Sequence, residues 1–464
     1  MCAMLVLIMA CVSKPRSSNT ILTNVIFFLV DDLGWMDTGC YGGTFYETPA
    51  IDKLASEGVR FTDAYSAHPV CGPSRAALLS GKAPLQLGNT GVTGNLPAGE
   101  VSLAEVFKEY GYSTFFAGKW HVGTTNGRSP LDQGFDYAIG VNTEGQPGSY
   151  FYPYKDTGCD LPGTKRRVLP ERDVPGLEDG SESEYLTDRL TEETVSFIEN
   201  HKDRPFFVYL SHYAVHTPLE AKEGYVRVFE EKNKTNGVDG LARLEEIEGR
   251  AHCRQNRSNP IYGAMVKSLD ESLGTLMNKL KELNLDENTI IVFTSDNGGL
   301  SCLKGTSQYI PTSNIPLKYG KGWVYEGGIR VPAIIKAPQI KQKGSISDQV
   351  LSGFDFYPTI LNLVGIPMLP EQHLDGQAWV PGEEFPERTI CWYYPHEHGS
   401  GHMPSAAVRS GNYKLIWHLK EDRVELYNLE DDISEKEELS KQFPDKTREL
   451  KDHLENWIND TKPD

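Results

Sequence analysis

Two pairs of polar side chains directly follow two apolar runs of the sequence. Asp31 and Asp32 follow the first run, and Asp296 and Asn297 come just after the second. Their oxygen atoms are hard ligands, and three carboxylates gathered at one place repel one another unless a cation lies between them. Oxygen ligands favour Ca²⁺ or Mg²⁺ over Zn²⁺. A single Asp-Asp pair is more often only a turn at a strand end, but two such pairs together indicate a metal site.

Basic side chains occur at comparable places, next to the ends of apolar runs or beside glycine turns. They are Arg75, Lys119, His121, His216 and Lys321. A lone lysine or histidine is usually an ordinary surface residue. Five of them in such positions predict a pocket that surrounds a small tetrahedral anion.

Cys71 stands at the mouth of a predicted helix that begins near Pro73. Proline suits the first helical position because its missing N–H costs nothing there. The free N–H groups and the dipole at a helix start bind anions and acidify a thiol. A thiolate is a soft ligand and a poor match for Ca²⁺. An unmodified cysteine therefore does not suit a place between a hard cation and a basic cluster.

Short apolar runs and helical patterns alternate along most of the chain. The runs occupy residues 24–30, 112–117, 205–210 and 289–294. Continuous apolar runs of this kind are typical of strands buried on both faces. Helical spacing of apolar residues lies between them, at 51–57 and 261–283. This alternation predicts an α/β domain over 21–370 with a mainly parallel mixed sheet flanked by helices, and its ligands are expected at the carboxyl ends of the strands.

The last part of the chain, 371–464, is predicted to form a small α+β domain with an antiparallel sheet. Strands are expected at 389–394, 405–410, 413–418 and 424–429, and a helix at 443–460. Between the first two strands lies a loop rich in Gly and Tyr that carries His396, His398 and His402. It either reaches the pocket or is a solvated loop. The Gly- and Pro-rich stretch 142–184 is expected to be a surface excursion that could form a rim of the pocket.

The composition and the N-terminal sequence indicate which partners the protein binds and in which cellular compartment it is expected. The net charge of −18, from 46 basic and 64 acidic residues, argues against binding nucleic acid. The apolar run from Ala3 to Val12 predicts an export leader over 1–20. Its end is similar to a bacterial lipobox, which makes Cys11 the expected lipidated residue. The eight cysteines show no zinc spacing and imply no complete disulfide set.

The sequence CGPSR at 71–75 with LLSG at 78–81 resembles the type I sulfatase signature C-x-P-S-R-x-x-L-L-x-G. The sequence over 111–121 is similar to the second signature of that family. DD at 31–32, HTP at 216–218, DNGG at 296–299, GKG at 320–322 and VRSG at 408–411 match in the same order. One departure is Ser80, where the signature more often has Thr. The resemblance covers most of the chain and implies an alkaline-phosphatase-like fold.

The resemblance also implies roles for individual residues. Cys71 would be oxidised to formylglycine by a maturation enzyme, either the formylglycine-generating or the anaerobic sulfatase-maturating type, and its hydrate would be an oxygen nucleophile. One Ca²⁺ ion would contact residue 71, and its other ligands would be Asp31, Asp32, Asp296 and Asn297. Arg75 would hold the hydrate. Lys119 and Lys321 would bind sulfate, His216 would protonate the leaving alcohol, and His121 would take a proton from the hydrate.

A secreted family member with such a C-terminal region is similar to bacterial enzymes that remove sulfate from polysaccharides. The expected substrate is a sulfated glycan, which His396, His398 and His402 would help to bind. The expected location is the periplasm or the outer membrane, through a lipid anchor, or outside the cell. Two alternatives remain: a phosphate or phosphonate ester hydrolase of the same superfamily, and a catalytically silent glycan-binding lipoprotein in which Cys71 is never matured.

Overall fold

The computed structural model describes residues 22–161, 164–247, 249–305, 308–369 and 375–462. The expected leader and the lipidation site Cys11 lie outside these residues, as does the expected domain boundary between 370 and 371. Among the described residues, no helix combines the length and the apolar character that crossing a membrane requires.

The described residues form strands and helices that alternate over the first three quarters of the chain. The strands are β1 Asn24–Val30, β2 Val59–Phe61, β3 Ala64–Tyr65, β4 Ser113–Gly118, β5 Tyr137–Ile139, β6 Phe206–Ser211, β7 Leu244–Ile247, β8 Ala251–Arg254, β9 Thr289–Ser295, β10 Cys302–Leu303, β11 Ala333–Lys336, β12 Ser345–Ser347, β13 Leu351–Ser352, β14 Thr389–Tyr394, β15 Ser405–Ser410, β16 Tyr413–His418 and β17 Arg423–Asn428. The helices are α1 Pro49–Glu57, α2 Cys71–Ser80, α3 Leu103–Glu109, α4 Leu186–His201, α5 Glu223–Thr235, α6 Pro260–Glu282, α7 Glu326–Ile329, α8 Phe356–Val364 and α9 Pro444–Thr461.

An eight-stranded sheet forms the centre of the molecule, in the order β12-β2-β11-β9-β1-β6-β4-β5. The strands from β9 to β5 in this order are parallel to their neighbours. Strand β11 runs antiparallel to both of its neighbours, β2 and β9. Helices α1, α4, α5 and α6 cover one face, and α2, α3 and α8 cover the other. The predicted mixed, mainly parallel α/β sheet is confirmed.

Strand β1 shows why a continuous apolar run forms the central strand. Its alternate residues point to opposite faces of the sheet. Ile26 and Phe28 belong to the core beneath α6, whereas Phe27 and Leu29 belong to the core beneath α2 and α8. Both faces are buried, so every position of the strand has to be apolar.

The register of the parallel strands brings their carboxyl ends to one edge. Val30 of β1 pairs with Ser295 of β9, and Leu29 pairs with Ser211 of β6. Gly118 of β4 also pairs with Ser211. The residues that directly follow these strands therefore lie side by side at the edge where ligands bind in open α/β sheets.

Among the described residues, three smaller sheets accompany the large one, and one of them is the two-stranded pair of β3 and β13. Strands β10, β8 and β7 form a three-stranded sheet, in which a disulfide joins Cys253 to Cys302. Strands β14 to β17 form the predicted antiparallel sheet in sequence order. Helix α9 covers one face of that sheet through Leu450, Leu454 and Ile458. The other face packs against residues around the start of α2.

A buried ionic network joins the C-terminal sheet to the segment of α7. Lys414 Nζ lies 2.8 Å from both Glu326 Oε1 and Glu435 Oε1, and its side chain has no exposed surface. Arg330 Nε also contacts Glu326, at 2.6 Å. Two carboxylates and two cations thus neutralise one another where water does not reach, which is the condition under which buried charges are tolerated.

Because this pairing is buried, removing its central cation should destabilise the protein. We expect Lys414→Met to lower the free energy of unfolding by about 3–5 kcal/mol, since a buried carboxylate loses its partner. Equilibrium urea denaturation measures this loss. Lys420→Met is the matched control, because Lys420 pairs with Glu397 at 2.9 Å while both side chains are about half exposed. That variant should lose only about 0–1 kcal/mol, and equal losses in the two variants would contradict the prediction.

Candidate active site

The two acidic pairs meet at the carboxyl edge of the sheet. The backbone N–H of Asp32 donates to Asp296 Oδ1 at 3.2 Å, and Asn297 Nδ2 donates to Asp32 Oδ1 at 2.7 Å. All four side chains, including that of Asp31, are buried. The structure therefore brings the four residues together, as the strand pattern predicts.

Helix α2 points its first turn at this cluster. It begins at Cys71, two residues before Pro73, so proline is the third helical residue and not the first as expected. Proline is still tolerated there, because the N–H groups of the first turn have no intrahelical acceptor. Cys71 Sγ lies 3.3 Å from His121 Nδ1 and within 4.8 Å of carboxylate oxygens of Asp31 and Asp296.

Arg75 lies one turn after Cys71, on the same face of the helix. Its Nε donates to Asp296 Oδ2 at 2.8 Å, and its Nη1 donates to the backbone oxygen of Lys119 at 2.7 Å and to Ser211 Oγ at 2.6 Å. Burial disfavours the guanidinium charge, but Asp296 and Asp31 outweigh this effect and raise the pKa of Arg75. The positive charge of Arg75 is therefore held in one position, one helical turn after residue 71 and on the same face of α2.

Lys119 and Lys321 reach the cluster from two sides. Lys119 Nζ donates to Asp31 Oδ2 at 2.6 Å, and Lys321 Nζ contacts both carboxylate oxygens of Asp32 at 2.8 Å. Burial acts against the charge of Lys321, but the neighbouring Asp32 raises its pKa above the usual range. Both lysines thus form buried ion pairs beside the position of residue 71.

The two histidines flank the site. His216 donates from Nδ1 to the backbone oxygen of Thr217 at 2.8 Å, which leaves Nε2 3.6 Å from Asp32 Oδ2. Burial, followed by the charge of Lys321, lowers the pKa of His216 to about 3. Burial also lowers the pKa of His121 well below its usual range. An anion bound next to the lysines opposes this effect, because negative charge favours the protonated ring.

The donor set fits a hard divalent cation. Among the described residues, Asp31 Oδ1 and Asn297 Oδ1 find no hydrogen-bond donor although both atoms are buried. Burial raises the pKa of Asp31 well above its usual range although Lys119 opposes it, and the neighbouring carboxylates raise it further. A cation among these oxygens would satisfy the two free atoms and remove the repulsion.

Two residues of the site have left-handed backbones. Asp32 has a φ of 59° and His121 a φ of 60°. This region is unusual for residues other than glycine, and such residues concentrate at functional sites, where the surrounding structure fixes them. Here Asp32 is fixed by Lys321 and Asn297. Local sequence patterns give no signal for these conformations.

The stretch 142–184 is largely irregular and reaches the site, as the sequence analysis allows. Gly145 packs so closely on His121 that a Cβ atom there would lie 2.5 Å from ring atom Cε1. Glu144, the preceding residue, is exposed. This loop therefore forms one rim of the pocket and leaves no room for a larger residue at position 145.

The three histidines of the C-terminal loop differ in position. His398 packs on Gly322, directly after Lys321, and its pKa is lowered to about 4 by burial and then by Lys321. His396 is exposed and contacts Thr90 Oγ1 at 3.3 Å. His402 is only 1% exposed and stacks on Tyr394. The structure brings His398 to the pocket, places His396 at its outer edge and places His402 in the packing behind it.

Ser211 is a site residue that the sequence analysis did not single out. Its Oγ accepts from Arg75 Nη1 at 2.6 Å and donates to the backbone oxygen of Lys119 at 2.7 Å. It ends β6, so its position at a strand end was the available signal. Its hydroxyl fixes Arg75 against β4.

Comparison with known proteins decides the family. A sequence model described as "Sulfatase" matches residues 23–366. The chain belongs to the sulfatase family, whose members hydrolyse sulfuric esters. A second family model, described as the C-terminal part of N-sulphoglucosamine sulphohydrolase, matches residues 318–463 of this sulfatase.

Individual relatives agree with this assignment. This sulfatase is 32% identical to the N-acetylgalactosamine-6-sulfatase of Canis lupus familiaris over 393 residues, which are 80% of this chain and 68% of the relative. It is 28% identical to a sulfatase of Formosa agariphila over 519 aligned positions, covering 94% and 88% of the two chains. The crystal structure of Ps i-CgsB superposes with a TM-score of 0.77 at 31% identity, covering 94% of this chain and 93% of that one. The same protein has been solved in complex with k-i-k-neocarrahexaose, with a TM-score of 0.75.

Proposed function

We propose that this sulfatase removes sulfate from a sulfated oligosaccharide or polysaccharide. The observation that carries the proposal is the placement of residue 71 at a helix start, 3.3 Å from His121 and beside Asp31 and Asp296. The substrate class is supported by the similar proteins, among which are an N-acetylgalactosamine-6-sulfatase and a protein solved in complex with k-i-k-neocarrahexaose.

Cys71 is the residue that maturation would change. Its thiol would lie among hard oxygen ligands, where sulfur is a poor partner. A maturation enzyme that reads the sequence from Cys71 to Arg75 would convert it to formylglycine. The hydrated aldehyde then supplies an oxygen nucleophile and a hard ligand at the same place.

The cation of the proposed site is Ca²⁺. Its ligands would be Asp31, Asp32, Asp296 and Asn297 together with the matured side chain of residue 71. When bound, Ca²⁺ supplies Lewis-acid polarisation and neutralises the carboxylates. The preference for Ca²⁺ follows from oxygen-only protein ligands and from the flexible coordination that this ion accepts.

The basic residues bind and orient the ester. Lys119 and Lys321 lie beside residue 71 in contact with Asp31 and Asp32, and they would hold the sulfate oxygens. Arg75, fixed by Asp296 and Ser211, would stabilise negative charge that develops on the side chain of residue 71. Such a preorganised set of charges lowers the barrier because it needs no rearrangement during the reaction.

The two histidines move protons at opposite ends of the ester. One oxygen of the hydrated side chain of residue 71, as the alkoxide that Arg75 stabilises, would form a bond to sulfur. The bond between sulfur and the sugar oxygen would break, and its electron pair would stay on that oxygen, which takes a proton from His216 Nε2. His121 Nδ1 lies 3.3 Å from the side-chain sulfur of residue 71. From there it would take a proton from the second hydroxyl of the sulfated side chain. The bond between the side-chain carbon and the sulfate oxygen would then break, so that sulfate leaves and the aldehyde is restored. Each of these proton transfers contributes about 10²–10⁴-fold to the rate.

The glycan would enter between the rim at Glu144 and the C-terminal loop. His398, which packs on Gly322, is placed to contact the sugar that carries the sulfate. His396 would contact a sugar further out. His402 is left out of the proposed binding residues because it is buried behind the pocket.

We also propose export from the cytoplasm, with the lipid anchor at Cys11 or by secretion. The disulfide between Cys253 and Cys302 supports this proposal, because disulfides persist mainly in oxidising compartments. The expected partners are the sulfated glycan and the maturation enzyme.

A substrate screen tests the proposed function. Protein co-expressed with a maturation enzyme should release sulfate from sulfated galactose or N-acetylgalactosamine oligosaccharides and from an aryl sulfate. It should act far less on aryl phosphate and phosphonate esters. Faster phosphonate than sulfate hydrolysis would favour the related hydrolase activity. Glycan binding without hydrolysis by matured protein would favour a silent binding protein.

A further inference from the structure

The hydroxyl of Tyr394 is a buried polar group without a hydrogen-bond partner among the described residues. The residue is the last one of β14 and is 0% exposed. A buried hydroxyl without a partner costs roughly 1–3 kcal/mol, so native structures seldom leave one in this state. A buried hydroxyl of this kind indicates that a ligand or another group forms a hydrogen bond with it.

The ring of Tyr394 is firmly held. His402 stacks on it, with ring centroids 5.0 Å apart and an interplanar angle of 7°. His68 meets it edge-on at 5.1 Å. Because both contacts fix the ring plane, the hydroxyl can rotate only about its own C–O bond. It therefore cannot swing away to find a partner elsewhere.

The surroundings of the ring belong to the proposed active site. Tyr394 packs in one apolar cluster with Val70, which directly precedes Cys71. Pro69, one residue earlier, accepts a hydrogen bond from the backbone N–H of Gly322 at 2.7 Å, and Gly322 directly follows Lys321. The segments that carry residue 71 and Lys321 are thus joined next to this tyrosine.

The charges that influence the pKa of Tyr394 agree with this placement. Burial raises the pKa of Tyr394 above its usual value, and the charges of Cys71 and Lys321 act on it as well. The phenol therefore lies within electrostatic reach of both groups. It remains a neutral donor at neutral pH, which is the form that can donate to an anion.

From this geometry we propose that the Tyr394 hydroxyl donates a hydrogen bond to a sulfate oxygen of the bound ester. The C-terminal sheet would then contribute directly to sulfate binding, beside Lys321. This inference rests on the proposed function, because it requires a sulfate ester at residue 71. It explains why a hydroxyl, rather than the hydrogen of a phenylalanine, stands at this buried position.

Tyr394→Phe tests the inference, because it removes the hydroxyl and keeps the ring between His68 and His402. Loss of a hydrogen bond to a charged group should weaken competitive inhibition by inorganic sulfate by about 10- to 100-fold. The value of kcat/KM for an aryl sulfate should fall to a similar extent. Isothermal titration with sodium sulfate gives the same comparison without turnover.

Tyr393→Phe is the matched control, since this neighbouring tyrosine points to the opposite face of β14. It should leave sulfate inhibition unchanged, and both variants should keep the wild-type thermal midpoint and the same state of residue 71. If wild type hydrolyses sulfate esters but Tyr394→Phe binds sulfate equally well, the inference is overturned and the proposed function stands. If wild type neither hydrolyses sulfate esters nor binds sulfate, both are overturned.

Discussion

Replacing His216 with alanine should slow hydrolysis of a sugar sulfate by about 10²–10⁴-fold, which is the usual contribution of a general acid. Nitrophenyl sulfate should lose far less, because nitrophenolate is a stable leaving group that needs little protonation. The reason lies in the position of Nε2, which faces the site while Nδ1 is bound to the backbone of Thr217. Steady-state kcat/KM values for the two substrates measure the difference.

His121→Ala is the control for this experiment. His121 contacts residue 71 rather than the position of the leaving oxygen. Its loss should therefore slow the breakdown of the sulfated residue 71, which both substrates form, and should lower kcat for both towards the same value. Equal losses on both substrates in His216→Ala would mean that His216 only binds sulfate. The assignment of the general acid would then be wrong.

Removal of the cation should lower the activity about as much as His216→Ala lowers the rate of sugar sulfate hydrolysis. A chelator should lower the activity by at least about 10²–10³-fold, since charge stabilisation at the reacting atoms is lost. Added Ca²⁺ or Mg²⁺ should restore it, whereas Zn²⁺ should not, because the ligands are oxygen atoms. Ca²⁺ should also raise the thermal midpoint of the wild-type protein, because a ligand that binds only the folded state stabilises it.

Asp296→Asn separates cation binding from general damage to the fold. This variant keeps the side-chain size but removes a charge that contacts Arg75. Its thermal midpoint should no longer respond to Ca²⁺, and its activity should match that of the chelated wild type. Asp188→Asn, which alters a partly exposed pair with Lys222, should respond as wild type does. Restoration of activity by Zn²⁺ alone would contradict the proposed calcium site.

The central strands could be predicted from sequence because their physical cause is local. Strand β1 occupies the predicted residues, β4 and β6 are shifted by one residue from the predicted ranges, and β9 is one residue longer than predicted. Burial on both faces requires an unbroken apolar run, which is visible in the sequence. The acidic pairs and Lys119 could be placed for the same reason, since they stand at or just after the ends of such runs.

Other features depend on contacts between distant residues, and the sequence pattern does not contain them. Strand β11 has only four residues, and its antiparallel place between β2 and β9 is set by pairing across the sheet. The disulfide joins cysteines 49 residues apart, and the spacing of the eight cysteines gave no reason to pair these two. Tyr394 reads as an ordinary strand residue, and only its neighbours in space reveal a free hydroxyl.

The start of α2 and the loop that carries the three histidines show where sequence patterns fail to predict the position of single residues. Helix α2 begins two residues before Pro73, because proline is compatible with any position of the first turn and does not by itself mark the start. The three loop histidines look alike in sequence. In the structure, His398 meets Gly322 while His402 stacks on Tyr394. That difference arises from how the loop folds back on the C-terminal sheet.

The state of residue 71 tests the account most directly. Protein would be produced with and without a co-expressed maturation enzyme. The mass of the peptide that contains Cys71 would be measured by mass spectrometry, and sulfate release would be assayed on the same samples. Conversion of the thiol to an aldehyde lowers the peptide mass by about 18 Da, since CH₂SH becomes CHO. We expect sulfatase activity to rise in proportion to the converted fraction and to be absent from Cys71→Ala. Full activity in protein whose residue 71 remains an unmodified cysteine would contradict the account.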